Sequence, residues 1–254
     1  MMNLNACQHL VSQRIQATRR WLASLPDRLP SDCPLCRLPA FGGHLCHGCE
    51  ADFFWQRQRR SICGRCASDL DAQGVCQACV QAPQPWPLNS VVSALDYAFA
   101  GQMLIRRYKA AGNLALARPL ARLMVMAAQR SARAQAPVAW VPIPASKQRL
   151  EQTGFSPAQQ LARFVALQTN AVCRPLWLQQ LEPTIAHKRL DRVERWQAAK
   201  GRFSAQGLPA GCVVGLVDDV MTTGSTLVAA AHALRNAGAG QVVALVAART
   251  PRGA

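Results

Sequence analysis

The residues best equipped for chemistry stand in one run, VVGLVDDVMTTGST, from Val213 to Thr226. Two adjacent carboxylates, Asp218 and Asp219, are followed two residues later by Thr222, Thr223, Gly224, Ser225 and Thr226. Small hydroxyl residues around a glycine offer successive backbone N–H groups. At a helix start, those amides and the positive end of the helix dipole hold a phosphate. Two carboxylates beside a phosphate make sense only if the ligand also carries hydroxyls for them to accept from, or a Mg²⁺ to neutralise them. A sugar phosphate with free vicinal hydroxyls meets both conditions. A capped helix behind an acidic turn, with no ligand, would leave this juxtaposition without a use.

The elements needed to position these groups are legible on both sides. Val213 to Val217 has the length and β-branched content of a fully buried strand in a parallel sheet, which places the aspartates at its carboxyl end, where open α/β sheets bind ligands. LVAAAHALRNAG, from Leu227, reads as a helix stopped by Gly238, with the small residues at its amino terminus.

A second constellation lies near the start of the chain. Eight of eleven cysteines form four CxxC pairs: Cys33 and Cys36, Cys46 and Cys49, Cys63 and Cys66, Cys76 and Cys79. Adding 30 to each of the first four numbers gives the second four, so the motif is duplicated, with nine residues between the inner cysteines of each copy. That spacing lets a hairpin join two knuckles into a closed tetrahedral Cys₄ site, and two structural Zn²⁺ ions are expected. Which knuckles share a metal is left open, since a cross-braced pairing satisfies the same spacing. His44 and His47 flank Cys46 as substitute ligands that a full Cys₄ set does not need. A redox role of the kind a lone CxxC suggests is disfavoured by four regular repeats. Cys7, Cys173 and Cys212 stand alone.

The chain has 254 residues, half of them apolar and 17% charged, which allows a sizeable core. No apolar run reaches the length of a transmembrane helix, and the opening thirty residues lack a signal-peptide core; a cytoplasmic protein is expected, with a basic helical segment over 1–30 that docks on the rest. Net charge is +16, and residues 89–254 carry twenty Lys and Arg against seven Asp and Glu, compared with nine against six before them. An anionic substrate, nucleic acid or both would be drawn to that half. Aromatics total 6% and do not interleave with basic residues as in a base-stacking platform.

Gln81 to Ser90, with three prolines, reads as a linker after the cysteine region. Beyond it, VVSALDYAF reads as a strand, Gln102–Lys109 as a short basic helix, 114–135 as a long helix, VAWVPIP as a second buried strand and Ser156–Leu167 as a helix. Cys173–Leu178 reads as a strand interrupted near its start by Pro175, and QVVALVAAR as the last one. Alternation of this kind gives an α/β fold with a parallel sheet covered on both faces.

The run at Val213–Thr226 resembles the PRPP-binding motif of type I phosphoribosyltransferases, in which hydrophobic residues precede two acidic ones and a TTG-[ST]-T loop. Together with the duplicated CxxC region, the chain beyond residue 30 resembles the competence-associated ComF family. YKAAGN at Tyr108–Asn113 is similar to its YKxxGN element. VPIPASKQRLEQTGFSPAQQLA is similar to VPVPxxxxRxRxRGFNQAxxLA, and PTIAHKRLDRVERWQAAKGRF to TxxQxxLxxxxRxxNxxxxF. Thr153 and Ser156 replace the Arg and Asn of RGFN, and His187 and Ala198 the Gln and Asn of the last motif.

The resemblance implies a parallel-sheet type I phosphoribosyltransferase-like domain at 91–254, preceded by a small double zinc ribbon at 31–80 and a linker at 81–90. It implies that Asp218 and Asp219 act on the ribose hydroxyls as the catalytic pair, and that Thr222, Thr223, Gly224, Ser225 and Thr226 hold the 5-phosphate. Mg²⁺ would accompany PRPP. Lys109, with Arg106 or Arg107 near it, would neutralise pyrophosphate, and Arg149 would close over it from a flexible segment before Gly154. The activity, if present, would be phosphoribosyl transfer, in the service of DNA uptake. A non-catalytic accessory factor binding single-stranded DNA, or a PRPP sensor, are the alternatives.

Overall fold

The computed structural model describes residues 25–82, 85–110, 113–131, 136–181 and 201–251. The expected amino-terminal docking helix, and His187 and Ala198 of the last motif, lie outside the described residues.

The cysteine region opens with a 3₁₀ turn and an antiparallel pair, β1 (Pro30–Asp32) and β2 (Pro39–Phe41), followed by α1 (His47–Gln58) and a short α2 (Gln77–Val80). The main sheet follows: β3 (Ser90–Asp96), α3 (Phe99–Ala110), α4 (Ala117–Arg130), β4 (Ala139–Pro142), α5 (Lys147–Thr153), α6 (Pro157–Thr169) and β5 (Val172–Cys173). An antiparallel pair, β6 (Leu178–Gln180) and β7 (Phe203–Ala205), precedes β8 (Val213–Met221), α7 (Ser225–Asn236) and β9 (Gln241–Arg249). The five-stranded sheet has the order β3-β9-β8-β4-β5 and is parallel throughout. Its central strands β8 and β9 are apolar on both faces because both are covered, as parallel sheets require.

Two cores result. On one face Leu120, Leu123 and Met124 of α4 and Leu161 and Val165 of α6 pack with Val217 and Leu245. On the other, Leu227, Ala230, Ala231 and Leu234 of α7 pack with Leu216, Val242 and Ala244, and Leu178 and Phe203 of the antiparallel pair join them. The duplicated cysteine motif is divided between these cores. Cys33, Leu45 and Phe53 belong to the first, and Cys66, Ala67 and Cys76 to the second. Ion pairs reinforce the junction: Arg57 to Asp96 at 2.6 Å, Arg60 to the same carboxylate, and Arg122 to Glu50 at 3.0 Å. Several arginines of this basic chain are therefore spent on internal contacts.

Three expectations change. Cys173–Leu178 is not one strand: β5 stops at Cys173, a 3₁₀ turn spans Pro175–Trp177, and the chain resumes as β6, because proline cannot donate to a ladder and its ring fixes a turn-like φ. The strand read as Val213–Val217 continues to Met221 and carries both aspartates within it. The segment holding Arg149 is the helix α5, started by the Ser146 hydroxyl, which accepts from the Arg149 amide, and ended at Gly154. Gly215 in β8 has a local cause, since a Cβ there would lie 2.4 Å from the Trp140 ring. The indole of Trp140 is fixed across that space by donating to Thr169 Oγ1 at 2.7 Å.

Candidate functional site

A cleft of about 380 Å³ opens at the carboxyl ends of β4 and β8. Its lining brings together Lys109, Ser146, Arg149, Ser156, Arg202, Asp218, Asp219, Thr222 and Thr226. Lys109, Arg149, both aspartates and both ends of the threonine loop, drawn from three separate stretches of the sequence, thus border one space. Arg106 and Arg107 do not line it; Arg107 instead donates to the Pro34 carbonyl at 2.9 Å and helps seat the first cysteine module.

The two carboxylates are held differently. Asp219 is 8% exposed, with one oxygen 2.8 Å from Lys109 Nζ and the other accepting from the Val220 amide at 2.6 Å. Asp218 Oδ1 accepts from the Asp219 amide at 2.8 Å. Burial, and after it the adjacent Asp219 carboxylate, push Asp218 up to about 8, against the pull of that amide and of Lys109. Asp218 is thus the carboxyl of the pair that resists ionisation, beside the Lys109–Asp219 contact.

Below the aspartates the chain turns through Thr222 and Thr223 to Gly224, whose φ of 84° starts α7. This left-handed position suits glycine, and it lets the first-turn amides of a twelve-residue helix face outward without intrahelical partners. Thr223 Oγ1 lies 3.1 Å from Ser225 Oγ, closing the loop on itself.

Two motifs meet behind Lys109. The Tyr108 hydroxyl donates to the Pro157 carbonyl at 2.7 Å, and its ring meets that of Phe155 edge-on at 6.2 Å. Burial raises the phenol well above its ordinary range, so Tyr108 is a fixed donor that sets α3 against α6. Ser156, which stands at the Asn position of the RGFN pattern, caps α6 by accepting from the Gln159 amide at 3.3 Å, with Pro157 as first helical residue. Ser and Asn are near-equivalent caps, so the helix start survives the replacement. Gln180, at the end of β6, and Arg202, just before β7, enter the cleft without having been singled out from sequence. The only signal for Arg202 was its place beside Phe203, the last matched residue of the third motif.

The cysteines assemble in chain order. Cys33, Cys36, Cys46 and Cys49 form one cluster, and Cys63, Cys66, Cys76 and Cys79 the other, each with all sulfurs within 4.8 Å of one another. This resolves the pairing left open by spacing: the two copies are sequential, not cross-braced. Cys36 and Cys46 Sγ lie 3.5 Å apart, Cys66 and Cys76 3.4 Å, and Cys63 and Cys79 3.7 Å. Four thiolates around a tetrahedral zinc at 2.3 Å sit about 3.8 Å apart, so the donor sets fit that ion. Burial opposes the Cys33 thiolate, yet the amides of Cys36, Cys46 and Leu35 hold it down to about 6. His44 is turned away from the cluster toward Asp27, at 2.6 Å.

Comparison with known proteins follows the same division. A model of the phosphoribosyl transferase domain matches residues 151–254. Competence protein F of Haemophilus influenzae is 30% identical over 213 residues, spanning 78% of this chain and 87% of the relative. The chain belongs to the ComF family. DNA utilization protein YhgH of Salmonella typhimurium is 29% identical over 228 residues, 87% of this chain and 98% of the relative, and YhgH of Escherichia coli K12 is 28% identical over 239 residues. A solved structure of the allosteric regulatory enzyme of purine biosynthesis matches 52% of this chain and 26% of its own at 22% identity and a TM-score of 0.35. In this ComF-family chain the sheet is phosphoribosyltransferase-like and the cysteine clusters are arranged as zinc ribbons. Among the described residues no helix is long and apolar enough to cross a membrane.

Proposed function

We propose that the cleft binds PRPP, the reading being carried by one observation: Asp218, Asp219, Lys109, Arg149 and the Thr222–Thr226 loop converge on a single space at the sheet's carboxyl edge. In this reading the helix-start amides and hydroxyls of Thr222, Thr223, Gly224, Ser225 and Thr226 receive the 5-phosphate, and Asp218 and Asp219 accept from the ribose hydroxyls. Lys109 and Arg149 face the pyrophosphate, with Arg202 beside them. Mg²⁺ would enter with PRPP and offset its pyrophosphate charge. As the bond from C1 to pyrophosphate breaks, positive charge grows on the ring; the carboxylates hold the sugar in line and the basic side chains stabilise the leaving group. Phosphoribosyl transfer is the reaction this arrangement serves. The relatives' names, DNA utilization protein and competence protein, connect the reading with DNA utilization and competence. The reading divides the chain at 1–30, 31–80, 81–90 and 91–254, and places it in the cytoplasm.

The test is calorimetric titration of zinc-loaded protein with PRPP and Mg²⁺, alongside a variant carrying Asp218→Ala and Asp219→Ala. Saturable binding lost in the double variant supports the pocket and justifies a screen of acceptor bases for pyrophosphate release. Absence of binding by the folded parent overturns it.

One observation favours a second activity on another surface. Trp55, 63% exposed, has the Arg59 guanidinium 5.7 Å from its ring centre, and Arg130 lies 4.2 Å from that of Phe54. Bases of a single strand stack on such rings while arginines take the phosphates. Anisotropy with labelled oligo(dT) should show steep salt dependence and a loss on Trp55→Ala, with Asp218 and Asp219 variants unaffected.

A further inference from the structure

Arg249 ends β9, is 3% exposed, and lies between the second cysteine cluster and the threonine loop. Its Nε donates to the carbonyl of Cys66 at 3.2 Å and one terminal nitrogen to the hydroxyl of Ser68 at 2.8 Å. The other terminal nitrogen donates to the carbonyls of Met221, at 3.0 Å, and of Thr222. Met221 and Thr222 are the residues at which β8 turns into the loop, and Cys66 is a cluster cysteine. One buried cation therefore satisfies backbone acceptors from both, and the planar fork of a guanidinium fixes their relative position in a way a single-point ammonium cannot.

A second connection runs beside it. Arg65, inside the CxxC knuckle of the same cluster, lies 5.8 Å over the Trp86 ring, and Trp86 abuts Gly224, where an added Cβ would be 3.8 Å from the indole. The amide of Val91 donates to the Gly64 carbonyl at 3.3 Å, anchoring that knuckle to β3. Cys66, Ala67 and Cys76 share one core with Met221 and Leu227. The first cluster has its core on the other face of the sheet, so the two copies of the duplication differ in what they support.

We infer that Arg249 is a positioning residue through which the second Cys₄ module holds the 5-phosphate loop in its binding shape, so that this copy of the duplicated motif supports the loop, whereas the first copy packs on the other face of the sheet. The inference rests on reading Thr222–Thr226 as the phosphate loop. The geometry predicts that loosening the Arg249 contacts loosens the loop before any ligand is present. A carboxylate-binding or merely core-filling arginine would not be expected to do so, because its effect would fall on global stability alone.

The experiment is hydrogen exchange on zinc-loaded, ligand-free protein, read at the amides of Thr222–Thr226, together with PRPP titration and zinc analysis of the same samples. Arg249→Gln removes the fork. Ser68→Ala, a milder change that keeps the fold if Arg249→Gln does not, removes only the module-side hydroxyl. Arg249→Lys retains the charge and should recover part of the effect. The expected result is loop exchange about tenfold faster and PRPP binding about tenfold weaker in Arg249→Gln, the scale of one charge-assisted hydrogen bond, with zinc content unchanged. A Ser31→Ala change beside the first cluster should leave both readouts at their parental values. Unchanged loop exchange in both Ser68→Ala and the Arg249 variants overturns the inference. If the parent itself fails to bind PRPP while the variants still loosen the loop, the positioning role stands and the PRPP reading falls.

Discussion

Replacing Asp218 by asparagine should make the ligand-free protein more stable while removing its pocket function. The carboxyl is pushed up to about 8 by burial and by Asp219, whereas in the unfolded chain it titrates near 3.9. Between those values the folded state retains a proton that the unfolded state has released, so stability contributed at this site falls as pH rises through the window and is fully present only below about 4. At pH 7 the full shift corresponds to an upper bound of about 4 kcal/mol. Asp218 is only partly enclosed, and water reaching it screens the penalty, which leaves about 1–2 kcal/mol as the working figure. Asparagine has nearly the same shape, and its Oδ1 can keep the bond from the Asp219 amide that the carboxylate makes at 2.8 Å. For a chain of this size the gain is about 3–6 °C in Tm.

The assay is thermal unfolding of parent and Asp218→Asn at pH 5.5 and pH 8, both zinc-loaded, so that acid effects on the cysteine clusters cancel in the difference. The stabilisation should be larger at pH 8 than at pH 5.5, and PRPP titration of the same variant should show binding lost. A difference independent of pH, or a destabilised variant at pH 8, would refute the reasoning, since it would mean that the aspartate pair stores no electrostatic strain. Strain held at a site and released by its ligand is the usual cost of a pocket whose charges are completed by what it binds.

Lys109→Ala strips the partner from a nearly buried carboxylate; because the lysine is partly exposed, about 1–2 kcal/mol of stability should be lost, and adding Asp219→Asn should restore part of it by denaturant titration while PRPP binding stays absent. Gly224→Ala imposes a left-handed φ of 84° on alanine, and although a Cβ would meet the Met221 methyl at 2.5 Å, that flexible group can move, so the backbone cost of about 1–2 kcal/mol dominates, measurable as a lower Tm and weaker PRPP binding. Metal analysis should give about two zinc ions per chain, with one retained after either Cys33→Ser or Cys66→Ser, and only the second substitution should disturb the phosphate loop.

The parts of the molecule that were legible in the sequence are those encoded by local pattern. Apolar runs such as QVVALVAAR declare covered strands, a fixed cysteine spacing declares Cys₄ clusters, and TTGST before a small-residue run declares a loop that starts a helix. Even there, periodicity could not show that β8 continues through Asp218 and Asp219, because two carboxylates look like a strand end until the cleft and Lys109 are seen to receive them. The α5 helix was missed for a related reason: seven residues are too few to establish a period, and its start depends on one serine cap.

What spacing could not carry is the relation between distant segments. Arg249 closes an apolar strand and by its position alone reads as the first solvated residue after it, yet it is buried because carbonyls from residues 66, 221 and 222 converge there. Its desolvation is offset only by having acceptors on every side, so the loop, the cysteine knuckle and the strand end must be built together. The same logic divides the duplicated cysteine motif. Two copies of similar sequence were free to serve the same purpose, but a two-faced sheet gives them different neighbours, and only one face carries the turn from β8 into α7. Duplication supplied two staples, and the topology set one of them behind the turn from β8 into α7, joined to it through Arg249.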